Sequence, residues 1–208
     1  AQMTRFTALT AALILSALPA LAADPAPLKQ AEASRVIYDT GVATRDPLLV
    51  LAAAKMRRGL GLSPTDRMAE DGTPGDGALD ADAMLATARD LAAGDDMMLG
   101  LIDDVASENT KGVVSGPVYN NARIGGGQTD TYRAVPFEGG TYAEIYVEAK
   151  GSNDLNLKVT DDQGRLVCSD TDASAIAYCG WSPRSTGDFT IAVQNASGGS
   201  ADYALITN

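Results

Sequence analysis

The apolar side chains of this chain change rhythm near Gly112, and that change constrains the fold more than any motif does. Before it they recur every third or fourth residue, the period of a helix that buries one face. After it they recur every second residue, the period of a strand. In "LKQAEASRVIYDTGVAT", Leu28, Ala31, Arg35 and Tyr38 fall at helical spacing. Asp46 and Pro47 then read as a helix start, with a side-chain acceptor at the cap and a ring where no N–H is needed. "LLVLAAAKMRR" runs on to Gly59 and Gly61, with cations in its last turn to complement the helix dipole. Asp80 caps a third helix, "ADAMLATARDLAA", which stops at Gly94. Asp95 or Asp96 caps a fourth, striped by Met98, Leu101, Ile102 and Val105. The Gly-, Pro- and Asp-rich stretch "GLSPTDRMAEDGTPGDGALD" divides these helices into two hairpins. It does not read as a calcium loop of the EF-hand type: counted from Asp71, the position that needs glycine holds Asp76.

In the second half, Ala143, Ile145 and Val147 alternate with Glu144, Tyr146 and Glu148. Leu155, Leu157 and Val159 alternate with Asn156, Lys158 and Thr160, and Phe189, Ile191 and Val193 with Thr190, Ala192 and Gln194. Each reads as a strand with one wet face. Turn signals at "EGG", "KGSND", "DDQG", "RSTGD" and "NASGGSAD" separate them, so an antiparallel sandwich is expected in preference to a parallel sheet. "RIGGGQTD" lacks the lysine of a phosphate loop and leads into a strand, and it is expected to be a flexible connector.

The first residues stand apart from the fold. Arg5, the apolar "FTALTAALILSAL" and the small-residue site at Ala20–Ala22 have the form of an export signal, with Met3 as the natural start. The apolar run is shorter than the ~20 residues that span a bilayer. Export permits a bridge between Cys168 and Cys179; in a reducing compartment they would be two buried thiols. Leu166 and Cys168 share a parity, as do Ala177, Cys179 and Trp181. If both rows face inward, the sulfurs meet across a hairpin as a staple worth on the order of 3 kcal/mol.

The run "GGGQTDTYRAVPFEGGTYAEIYVEAKGSNDLNLKVTDDQGRLVCSD", continued by "STGDFTIAVQNASGGSADYALITN", resembles the bacterial pre-peptidase C-terminal domain. The matching features are the Asp-Thr-Tyr strand, "DLNLKVTDDQG", "TGDFTIAV" and the closing "GSADYALI". The resemblance implies a small jelly-roll-like sandwich that serves as a non-catalytic accessory module in exported proteins. It also implies calcium as a candidate ligand, held by Asp154, Asp161, Asp162, Asp170 and Asp172 with Asn156 as a further oxygen donor. The expected fold is α+β: a leader over 1–22, α-helical hairpins over 24–110, and an antiparallel, jelly-roll-like β-sandwich over 113–208.

Composition narrows the function. The chain has no histidine, which closes Ser-His-Asp and Cys-His relays and the usual catalytic zinc sites. A net charge of -11 argues against nucleic acid as the main partner. Adjacent acids such as Asp95–Asp96 and Asp103–Asp104 point in different directions along a helix and do not converge on a substrate. What is expected is a periplasmic or secreted, non-catalytic protein that binds a protein or glycan of the cell envelope, with Tyr132, Tyr142 and Tyr146 as exposed aromatic contacts. No cofactor is required for that role. The alternatives are a calcium-dependent structural or adhesion module and, less favoured, a hydrolase working with carboxylates alone.

Overall fold

The structure is a computed structural model and describes residues 26–76, 79–108 and 116–208. The expected leader and the expected junction between the halves lie outside the described residues. Four helices precede the sandwich: α1 Pro27–Thr44, α2 Pro47–Arg58, α3 Ala81–Leu91 and α4 Asp96–Ser107. Their starts follow the caps read from sequence. Asp46 accepts from Leu48 N and Leu49 N, Asp80 from Ala83 N, and Asp95, not Asp96, from Met98 N. Val50, Leu51, Met84, Leu85, Ile102 and Val105 form the core between α2, α3 and α4.

The strands are β1 Ser63–Pro64, β2 Thr73–Pro74, β3 Val118–Ile124, β4 Thr129–Phe137, β5 Ala143–Ala149, β6 Leu155–Thr160, β7 Leu166–Asp170, β8 Ile176–Trp181, β9 Gly187–Asn195 and β10 Ala201–Thr207. Two sheets face each other. One has the order β1-β3-β10-β5-β8, with β2 also on β3, and the other β4-β9-β6-β7. Every pairing is antiparallel except β1 with β3. The loop that was expected only to separate two helical hairpins therefore also adds β1 and β2 to the first sheet. Ile145, Val147, Leu155, Leu157, Ile191 and Val193 fill the space between the sheets.

The expectation of one wet face per strand fails at β5, where every residue is buried. Helix α1 lies on its outer face, and Leu28, Ala31, Tyr146, Ala204 and Ile206 share one apolar cluster there. The charged side chains at this junction are paired. Arg57 Nη2 lies 2.8 Å and Arg35 Nη1 3.4 Å from the Glu148 carboxylate, while the Tyr146 hydroxyl donates to it at 2.6 Å. Glu144 accepts from Leu28 N at 3.4 Å, serving α1, whose own N-cap residue provides no side-chain acceptor. The molecule is thus layered as helices, sheet, sheet.

The staple is present: Cys168 and Cys179 form a disulfide with their Cα atoms 5.9 Å apart. It does not cross a hairpin, because β7 and β8 belong to different sheets, and it ties the two sheets together. The parity argument also fails for Leu166. The pairing of β7 with β6 shifts register between Cys168 and Leu166, which leaves Leu166 63% exposed while Val167 packs on the core. "RIGGGQTD" is a bonded β3–β4 turn and not a loose connector. Gly127 N donates to Asn195 O and Ser197 O, and the Asn195 side chain donates to Gly125 O.

Candidate functional site

At one end of the sandwich, the β6–β7 turn and the β8–β9 loop enclose a pocket of about 290 Å³. Trp181 ends β8 and Phe189 lies in β9, so both come to the same end of the molecule and form the pocket's apolar wall. Phe137 backs them: its ring centroid lies 4.9 Å from that of Trp181 and 5.7 Å from that of Phe189, and Trp181 and Phe189 are 5.3 Å apart. Edge-to-face packing of this kind fixes the rings in place. Trp181 Nε1 is buried and has no hydrogen-bond acceptor.

The rim is charged. Asp161 is spent on its own turn, accepting from Gln163 N, Arg165 N and Arg165 Nε. Desolvation pushes its pKa up, but the hydrogen bonds from Arg165 and Gln163 and the charge of Arg165 together outweigh it and hold the carboxyl below the usual range. Asp162, Arg184 and Asp188 also line the pocket, all exposed. None of their side chains has a hydrogen bond or ion pair with another described residue. The β8–β9 loop is held from behind by the turn that follows β4: Gly140 N donates to Pro183 O at 2.8 Å and Gly139 N to Thr186 Oγ1 at 3.0 Å.

A second cleft, of about 270 Å³, lies between α2, α3 and the outer face of the first sheet, lined by Leu62, Tyr119 and Ile206 among others. Its arginines are committed, Arg57 to Glu148 and Arg58 to Val105 O, Ala106 O and Asp82. The end pocket is the better candidate because its rim groups remain available.

The residues expected to hold calcium are not gathered in one place. Asp154 and Asn156 lie at the start of β6 and Asp161 and Asp162 follow its end, roughly 20 Å away for a strand of six residues. Asp170, paired with Leu157, and Asp172 lie at the end of β7 away from that turn, on the side of Asp154 and Asn156, where Asp170 accepts from Tyr178 N and Asp172 N. Asp154 borders a different cleft, with Arg35 and Asp39, and its Oδ1 is buried without a donor. No group of three or more carboxylate, cysteine or histidine side chains suited to a metal occurs among the described residues. The set does not fit a single calcium site.

Two of the three tyrosines expected to be exposed are fully buried. Tyr132 lies inside the sandwich, where Asn120 Nδ2 donates to its hydroxyl and Tyr203 OH is 2.7 Å away. Tyr146 lies beneath α1. Only Tyr142 keeps some surface, with its hydroxyl 3.4 Å from that of Tyr178. A strand's alternation says which residues share a face but not what covers that face. The end pocket itself was missed by sequence reading. Its signal was the sole tryptophan standing directly before the turn-forming "SPRSTGD", with "DDQGR" as a second turn in the same half.

No family model and no curated protein matches the chain. Among solved structures, it is similar to the pre-peptidase C-terminal domain of a Bacillus anthracis collagenase, with 15% identity and a TM-score of 0.37 over 43% of this chain and 87% of that one. It is also similar to PliG of Aeromonas hydrophila, a periplasmic inhibitor of g-type lysozyme, with 15% identity and a TM-score of 0.35 over 49% of this chain and 90% of that one. A third likeness is to the C-terminal CBM6 of the Zobellia galactanivorans laminarinase LamC, with 14% identity and a TM-score of 0.28 over 43% of this chain and 82% of that one.

Proposed function

We propose that this chain is a non-catalytic binding protein of the periplasm or the secreted space, and that it takes a protein or glycan of the cell envelope at the end pocket of its sandwich. The observation that carries this reading is the pocket's make-up: a fixed aromatic wall ringed by Asp162, Arg184 and Asp188, charged groups that no other described residue uses. Specificity in such sites comes from a few polar groups placed around an apolar surface. The disulfide suits an oxidising compartment. No helix among the described residues is long and apolar enough to cross a membrane.

Hydrolysis is the weaker reading. Asp162 and Asp188 are both exposed on the rim, where a reacting bond is not shielded from water. The buried carboxylates, Glu144 and Glu148, are occupied in holding α1. The test is capture from the native cell envelope with the immobilised protein and with an R184A/D188A variant. The wild type should retain a partner that the variant loses. Equal retention by both would remove the end pocket from the function.

A further inference from the structure

The end pocket also carries information about the chemistry of its ligand. Its volume, about 290 Å³, falls at the bottom of the ~300–1,000 Å³ range of small-molecule sites. That is room for a single ring-sized group. One wall is aromatic. The rim mixes both signs, with Asp161 and Asp162 on one turn, Arg165 beside them, Arg184 on the opposite loop and Asp188 at the start of β9.

Such a rim does not suit a charged ligand. A polyanion would meet three carboxylates and a polycation two guanidinium groups, each at a cost that the favourable contacts must first offset. A neutral ligand with several hydroxyls uses both kinds of group. Carboxylates accept from hydroxyl hydrogens, and a guanidinium fork donates to two neighbouring oxygens at once. Asp162, Asp188 and Arg184 are free to do this, and Trp181 and Phe189 supply the apolar surface that the C–H face of a sugar ring requires.

The aromatic wall is also preorganised. The β8–β9 loop is tied at Pro183 and Thr186 to the turn after β4, and the rings are packed on Phe137, so the loop and the rings need little ordering on binding, and the cost falls on the side chains of the rim. We infer that the end pocket binds one neutral sugar residue of an envelope glycan, with Trp181 and Phe189 against the ring and Asp162, Arg184 and Asp188 on its hydroxyls. The inference rests on the reading that this pocket is the binding site, and it selects the glycan arm of that reading over the protein arm.

Trp181 is the only tryptophan in the chain, so intrinsic fluorescence reports on the pocket without labelling. The full chain is titrated with maltotriose, cellotriose, mannotriose and triacetylchitotriose, with trigalacturonate and the deacetylated chitosan trimer as anionic and cationic controls. At least one neutral trisaccharide should change the emission saturably. Its dissociation constant should rise tenfold or more in R184A and in D188N, both checked for native circular dichroism. A charged trimer bound in preference, an affinity unchanged in both variants, or no response to any sugar would overturn the inference. The envelope capture distinguishes the two failures. If no sugar responds while R184A/D188A loses a captured protein, the sugar assignment falls and the binding site stands; if that variant loses nothing either, both fall.

Discussion

Glu148 is the residue on which the junction of helices and sandwich turns. It is fully buried and faces two arginines from two different helices, Arg35 of α1 and Arg57 of α2, which are themselves 5% and 4% exposed. Burial of Arg35 pushes its pKa down, but the Glu148 and Asp39 carboxylates outweigh this and raise it. Removing one partner from such a group leaves uncompensated charge in the interior, which costs about 3–5 kcal/mol. Glu148→Ala should therefore lower the unfolding free energy by about that much in urea denaturation. Breaking the exposed Lys55–Glu108 pair should change it by less than about 1 kcal/mol. Comparable losses for the two would show that the buried cluster has no special weight. Sequence reading placed Arg35 at helical spacing with Leu28 and Ala31 but took Glu144, Tyr146 and Glu148 for a wet face. Their polarity was legible; the helix residues that meet the two carboxylates, Leu28 at Glu144 and Arg57 at Glu148, lie some ninety or more positions away, which a local pattern does not encode.

Glu144, on the same outer face, gives the junction a pH dependence. Burial raises its pKa, and hydrogen bonds from Tyr178 and Leu28 with the charge of Lys29 only partly offset the rise. Between the ordinary carboxylate value and this raised one, the folded state keeps a proton that the unfolded chain has released. Glu144 therefore contributes most to stability below the ordinary value, and that contribution is lost as pH climbs through the raised one. Glu144→Gln cannot titrate. The stability of wild type minus that of the variant should fall with rising pH across this window, read from urea midpoints at a series of pH values. A difference that stays flat or grows would contradict the burial of this carboxyl.

At the scale of elements, the end pocket depends on a turn that does not itself carry the aromatic wall. A Cβ placed on Gly139 would lie 2.5 Å from the Ser185 and Thr186 backbone, so the β8–β9 loop approaches this turn as closely as only glycine allows. Backbone cannot yield as a flexible side chain can. Gly139→Ala should push the loop outward, cost about 1–3 kcal/mol of stability and shift the emission of Trp181 toward that of a solvated indole. Native emission together with native stability in this variant would mean that the loop is not held from behind. Strands β5, β6 and β9 were legible from their alternation, and so was the "EGG" turn. The meeting of "EGG" with "RSTGD" was not, because it follows from which strands share an end of the sandwich. The same limit explains the cysteines: pairing was foreseen from parity, while the crossing between sheets depends on β7 and β8 parting company after their connection.

For the molecule as a whole, the change of rhythm near Gly112 marks a change of secondary structure but not the edge of a core. Helix α1 packs on β5, β1 and β2 extend the first sheet, and Leu28 and Ala31 share a cluster with Tyr146, Ala204 and Ile206. A sandwich stripped of residues 26–108 would expose that apolar surface and leave Glu148 without either arginine. Because the two halves share buried apolar area and buried charge, they are expected to unfold together. Far-ultraviolet circular dichroism follows the helices, and the emission of Trp181 follows the sandwich. The two signals should give coincident transitions in urea with equal midpoints and slopes, as one cooperative unit requires. Glu148→Ala, by weakening the junction and neither core, should be the variant in which they begin to separate, the dichroism falling first. Distinct transitions in the wild type would mean that the halves fold as independent domains and that α1 merely rests on the sheet.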